Sequence, residues 1–284
     1  MAIIVFWSGS EKETGQTLAI SALGGYMGVN HNYKLLLVDA TFHDDTMARC
    51  FWNVHNEGGS KALRKLAGSK MDISSGAEGL VSAVASNQVT PEIITNYTKP
   101  IFSGGKFDVL AGLKTSSLNE YTKSMMLYKD VLNIANKYYD MVLVDLQKTL
   151  KMDTTKALLK QANVIVYTLS QNERQLEEYV QTMIQDNECI SKEKVVPLIA
   201  NCDEFCKYNA KNISSRIRER RVIPSVIYHP QFKERACEAG VSDYFTHLAL
   251  RTQVKDDLDG RFLKALGYLD QRIDEKLEEL KLKV

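Results

Sequence analysis

The strongest constraint on this chain is a series of short apolar runs with almost no polar interruption, most of them followed by a stretch long enough for a helix. Residues 2–7, 35–38, 107–110, 141–144, 164–168 and 195–200 are such runs, and 222–228 is a weaker one. A strand that alternates polar and apolar residues has one wet face. These runs have none, so both faces of the sheet they form must be covered. The stretches between them, such as 118–138 and 173–184, supply the covering helices. The pattern predicts an α/β fold built on a doubly wound, mainly parallel sheet. The first run leads through the polar segment 8–15 into Leu18, Ala19, Ala22, Leu23, Tyr26 and Met27, which recur at helical spacing.

At 284 residues the chain suits one large α/β domain or two small ones. With 44% hydrophobic and 25% charged residues and only 5 prolines, wholesale disorder is excluded. The net charge of +1 leaves any nucleic-acid argument to a local patch. No apolar stretch approaches the roughly 18 residues of a membrane span, and the start continues into polar residues instead of a cleavage site, so the expected location is the cytoplasm. Five cysteines, an odd number without close pairing, read as reduced thiols. Cys202 and Cys206 lack the second pair or nearby histidine that a zinc site needs.

In open α/β sheets, ligands bind beyond the carboxyl ends of the strands. That rule places the 8–16 loop, Asp39 and Asp145 on one edge, where the two carboxylates are either ligand-side groups or solvated strand ends. The segment 54–89, with Gly58, Gly59, Gly68, Gly76 and Gly79, reads as short helices and surface turns. Near the C-terminus, Phe262, Leu266, Leu269, Ile273, Leu277 and Leu280 form the apolar face of an amphipathic helix. Its other face mixes both charges, which favours packing on its own domain or on a partner subunit over a lipid surface. The expected division is a domain over 1–250 and a helical extension over 251–284.

Ser8 to Thr17 stands where a phosphate-binding loop belongs, after the first strand and at the mouth of a helix. Such a loop works because backbone N–H groups converge on the phosphates, a lysine neutralises charge, and a Ser or Thr hydroxyl joins the Mg²⁺ shell. The candidate phosphate-binding residues are Gly9, Ser10, Glu11, Lys12, Glu13, Thr14, Gly15, Gln16 and Thr17. The strict GxxxxGK[ST] pattern fails, because Gln16 holds the lysine position, and taken alone the string also suits a turn without a ligand.

The order of the motifs along the chain is more specific than any one of them. Gly15 and Thr17, Leu35-Leu36-Leu37-Val38-Asp39-Ala40, Met141-Val142-Leu143-Val144-Asp145, the 164–168 strand, Ile199-Ala200-Asn201, Ile223-Pro224, and His229-Pro230 through Ala236 with Gly240 together resemble the ParA/MinD family. These are deviant-Walker P-loop ATPases of the SIMIBI class that position plasmids, division sites and surface organelles. The resemblance covers roughly residues 1–250. It implies ATP or ADP as ligand, Mg²⁺ associated with Thr17, Asp39 and Asp145, adenine recognition at Asn201, and a homodimer with the nucleotide at or near the subunit interface.

This chain departs from the family where charge is handled. Glu11 and Gln16 match the family's two loop lysines, and Lys12 and Glu13 match its middle glycines. Asp39-Ala40-Thr41 lacks the second Asp that positions water, although Asp44 and Asp45 follow closely. Losing such electrostatic partners commonly costs on the order of 10²-fold in rate, so the resemblance implies a nucleotide-binding protein with weak or absent hydrolysis. A degenerate loop also resembles the TadZ-type localisation factors of pilus assembly, which implies a localisation or assembly factor with protein partners at a pole or the inner membrane face. An active ATPase of plasmid or chromosome partition and a nucleotide-independent scaffold are the alternatives.

The richest basic stretch, Lys211 with Arg216, Arg218, Arg220 and Arg221, suits either non-specific DNA contacts or a solvated helix face, and the second is favoured. His31, His43, His55, His229 and His247 form no metal-binding pattern and read as surface or loop residues.

Overall fold

The apolar runs assemble side by side into one sheet. In the computed structural model, which describes residues 1–9, 14–42, 46–52, 76–87, 89–102, 104–115, 117–146, 153–185, 188–251 and 256–282, the strands are β1 (Ala2–Trp7), β2 (Leu35–Ala40), β3 (Lys99–Pro100), β4 (Phe107–Leu110), β5 (Met141–Leu146), β6 (Val164–Leu169), β7 (Val195–Cys202) and β8 (Ser225–Ile227). Their order is β3-β4-β2-β5-β1-β6-β7-β8, and every pairing is parallel except that of β3 with β4. The two-residue β3 carries no apolar pattern that a sequence reading could find. Its Pro100 is tolerated because β3 is an edge strand. The run at 222–228 yields only the three residues of β8, with Val222 lying outside it and half-exposed.

Successive side chains along a strand point to opposite faces, and here both faces are dry. Ile3, Val5 and Trp7 pack into one core with Leu36 and Val38, whereas Ile4 and Phe6 pack into a second core with Leu35 and Leu37. The first core is closed by α3 (Ala77–Ala85), α4 (Leu118–Met125), α5 (Tyr128–Tyr138), α6 (Asp153–Gln161), α7 (Glu173–Ile184) and α8 (Ala210–Arg216). The second is closed by α1 (Gln16–Asn30), α2 (Thr46–Phe51), α9 (Pro230–Cys237), α10 (Val241–Ala249) and α11 (Leu258–Lys281).

The 118–138 stretch, expected as helix, is two helices with a turn between them. The tyrosines on either side of that turn hold the end of β2. Tyr121 donates its hydroxyl to the Ala40 carbonyl at 2.8 Å and Tyr128 donates to the Asp39 carbonyl at 3.3 Å. Helix α1 lies between the sheet on one side and α10 and α11 on the other, which is why it is buried around most of its circumference.

Helix α11 starts from an Asp257 cap that accepts the Gly260 N–H. Phe262, Leu266, Leu269 and Ile273 are fully buried against α1, β7 and β8, each contributing about 1.5–3 kcal/mol of apolar burial. Among the described residues no helix is long and apolar enough to cross a membrane.

Candidate functional site

At the carboxyl edge of the sheet the chain leaves β1, and after the loop it re-enters regular structure at Gly15, the residue preceding α1. Ser10, Glu11, Lys12, Glu13, Asp44 and Asp45 lie outside the described residues. Gly15 has φ 70 and ψ 15, a left-handed conformation that favours glycine. As the N-cap, Gly15 has no side chain to cap the helix, and the first turn contains no acidic residue. The first N–H groups of a helix have no intrahelical acceptor, and its dipole favours an anion at that end. Just before it, Thr14 is fully buried and its hydroxyl has no hydrogen-bond partner among the described residues.

The two acidic strand ends are not solvated. Asp39 and Asp145 each lie inside a strand at 1% exposure and stand opposite one another in the β2–β5 pairing. Burying a carboxylate is expensive unless hydrogen bonds hold it, and both are held. Asp39 Oδ1 accepts the Thr41 N–H at 3.0 Å and the Thr41 hydroxyl at 2.7 Å. Asp145 Oδ1 accepts the Gln16 amide at 2.6 Å, and its Oδ2 accepts the Thr17 hydroxyl at 2.7 Å. Gln16 also donates to the Leu146 carbonyl at 3.0 Å and accepts the Thr168 hydroxyl at 3.0 Å, so one buried amide links the ends of β5 and β6.

Asn201, next to last in β7, has an exposed side chain and a φ of 56. It touches the loop directly, since a β-carbon on Gly15 would lie 3.1 Å from Asn201 Cβ. The structure therefore brings Thr14, Gly15, Gln16, Thr17, Asp145 and Asn201 to one place, with Asp39 beside Asp145. The donor set suits magnesium, which prefers hard oxygen ligands. Thr17 gives its proton to Asp145, which leaves its oxygen lone pairs for a metal.

The basic stretch is not one helix face. Helix α8 stops at Arg216, Arg218 adopts a φ of 58, Arg216 pairs with Glu173, and Arg221 pairs with Glu275 at 2.5 Å. His229 is not a surface residue but is 3% exposed. Its Nδ1 accepts the Phe232 N–H at 3.1 Å, capping α9, and its Nε2 lies 2.9 Å from Asp259. Residue spacing alone cannot show a histidine acting as a cap.

Sequence reasoning also missed Thr168, which closes the Gln16 network, and the two tyrosines behind Asp39. Thr168 carried a weak signal as a polar residue ending an apolar run. The tyrosines carried none, because their partners are backbone carbonyls.

Solved structures of the same fold exist. A ParA family ATPase from Chlorobium tepidum TLS superposes with a TM-score of 0.61 at 12% identity, over 87% of this chain and 99% of that one. The septum site-determining protein MinD from Pyrococcus horikoshii OT3, complexed with Mg-ADP, gives 0.64 at 12% identity, over 97% and 99%. This is the ParA/MinD fold. A putative plasmid partition protein from Borrelia burgdorferi B31, bound to AMPPNP, shares the ParA/MinD fold with a TM-score of 0.56 at 14% identity, over 99% and 98%. No family model matches the sequence, and neither does any curated protein.

Proposed function

We propose that this chain binds an adenine nucleotide with magnesium at the carboxyl edge of β1, β5 and β7 and acts as a positioning or partition protein of the ParA/MinD type. The observation that carries the reading is the joint placement of the glycine-led α1 N-terminus, the Thr17–Asp145 pair and Asn201. The backbone N–H groups bind phosphate, Thr17 and the two carboxylates hold magnesium, and Asn201 meets the base. When bound, the metal supplies charge neutralisation to the phosphates. Plasmid partition and division-site proteins are among those whose structures this chain resembles, which favours a positioning or partition role over pilus assembly.

Hydrolysis is slow in this reading. The residue at the loop's lysine position is a neutral amide whose hydrogen bonds are spent inside the protein, so transition-state charge loses a cation. The protein works as a homodimer with protein partners, and residues 251–284 form an extension of the 1–250 nucleotide domain. Calorimetric titration with ATP and Mg²⁺ tests the reading. Saturable binding near one nucleotide per chain is expected, and no binding up to millimolar ATP overturns it.

A further inference from the structure

The side chain of Gln16 has two N–H donors and an oxygen with two lone pairs. Both donors are taken, one by Asp145 at 2.6 Å and one by the Leu146 carbonyl at 3.0 Å. Those partners can only accept, so the amide nitrogen must face them and the oxygen must face the Thr168 hydroxyl. What remains of Gln16 is an acceptor lone pair, and a phosphate oxygen is itself an acceptor. Gln16 is 2% exposed, and turning its side chain outward would take one hydrogen bond from the buried Asp145 carboxylate and one from the Leu146 carbonyl. A P-loop lysine at this position would reach the β- and γ-phosphates.

We propose that Gln16 is a positioning residue that holds Asp145 and never contacts phosphate, so the pocket does not favour a third phosphate and binds a nucleoside diphosphate at least as tightly as the triphosphate. The inference rests on the nucleotide reading above and deepens it. The α1 N-terminus and Thr17 serve the phosphates that both ligands share, while the extra charge of the triphosphate meets no ammonium from position 16. Occupancy then follows the relative concentrations of the two nucleotides, and the third phosphate is not a signal that position 16 reads.

The test is calorimetric titration of the full chain with MgADP and with MgATP. Equal affinities, or tighter binding of MgADP, are expected. MgATP binding tenfold or more tighter than MgADP overturns the inference while leaving the nucleotide reading standing, since another cation of the chain then serves the third phosphate. No binding of either nucleotide overturns both.

Two variants separate positioning from contact. Gln16→Lys restores an ammonium and is expected to shift the ADP-to-ATP affinity ratio toward ATP by about tenfold, the scale of one charge-assisted hydrogen bond. Gln16→Leu removes the network without adding charge and is expected to weaken both nucleotides by the same factor. An unchanged ratio in a folded Gln16→Lys protein overturns the assignment. If that variant does not fold, the wild-type ratio decides alone.

Discussion

A β-carbon built on Gly15 would sit 3.1 Å from that of Asn201, so the residue that opens α1 and the end of β7 are in direct contact. The proposed phosphate and base subsites therefore meet at the junction between α1 and the sheet. The left-handed φ of 56 at Asn201 aims its side chain away from the regular strand direction, a conformation that asparagine tolerates better than most residues.

Asn201→Gly removes the amide while keeping that backbone conformation. Affinity for ADP is expected to fall about tenfold, the scale of one or two ligand hydrogen bonds, and the preference for ADP over GDP is expected to disappear. Competition titrations with both nucleotides would decide it. Retained base discrimination would remove Asn201 from the base subsite.

Gln16→Leu should be strongly destabilising for so small a change in shape. It strips the buried Asp145 oxygen, the Leu146 carbonyl and the Thr168 hydroxyl of their common partner. A loss of about 2–4 kcal/mol is expected, because unsatisfied buried polar groups cost more than the net worth of the bonds that held them. Thr168→Val, which removes one neutral hydroxyl shared between the Gln16 oxygen and the Trp7 carbonyl, should cost about 1 kcal/mol. Urea denaturation would rank the two, and the reverse order would show that the network is not organised around the amide.

At Gly25 two effects oppose each other. Alanine is the better helix former by about 1 kcal/mol. Yet a β-carbon there would lie 2.3 Å from Phe245 Cδ2, and Phe245 is fully buried among Phe232, Tyr244 and Phe262. Overpacking of about 1–3 kcal/mol is expected to win, so Gly25→Ala should lower the melting temperature. Adding Phe245→Leu should recover part of that loss relative to Phe245→Leu alone, a coupling that a double-mutant cycle measures. Additive effects would mean that the helix moves instead of the ring being strained.

Burial holds the His229 imidazole below its ordinary value, against the opposing pull of Asp259. Protonation at Nδ1 would also replace the acceptor that caps α9 with a second donor facing the Phe232 N–H. The unfolded chain takes up this proton at a higher pH than the folded one, so stability falls as pH drops below about 6.5 toward the folded value. Asp259, whose carboxyl is held below its ordinary value, against the effect of burial, by the Tyr244 hydroxyl and Arg251, stays ionised across that window, and Tyr244, pushed above its ordinary value by burial, stays neutral. His229→Asn keeps a capping acceptor but cannot titrate. Its melting temperature should change less than that of the wild type between about pH 7.5 and pH 5.5, and parallel curves would exclude His229 as the source.

The sequence by itself determined the architecture, because unbroken apolar strands have only one solution that leaves no face wet. Ile3, Val5 and Trp7 must enter one core and Ile4 and Phe6 the other once the run is a strand, and helical periodicity supplied the cover. It also determined which residues reach the carboxyl edge, since strand ends and the first loop follow from the order of the elements. Distances across the chain were decided only in three dimensions. Gln16 meets Asp145 and Thr168 across separations of 129 and 152 residues, and no local pattern records whether a buried amide turns toward a phosphate or toward the sheet. The same holds for His229 with Asp259 and for Tyr121 with the Ala40 carbonyl, polar contacts between distant elements that form because a buried donor or acceptor must find a partner wherever packing has placed one.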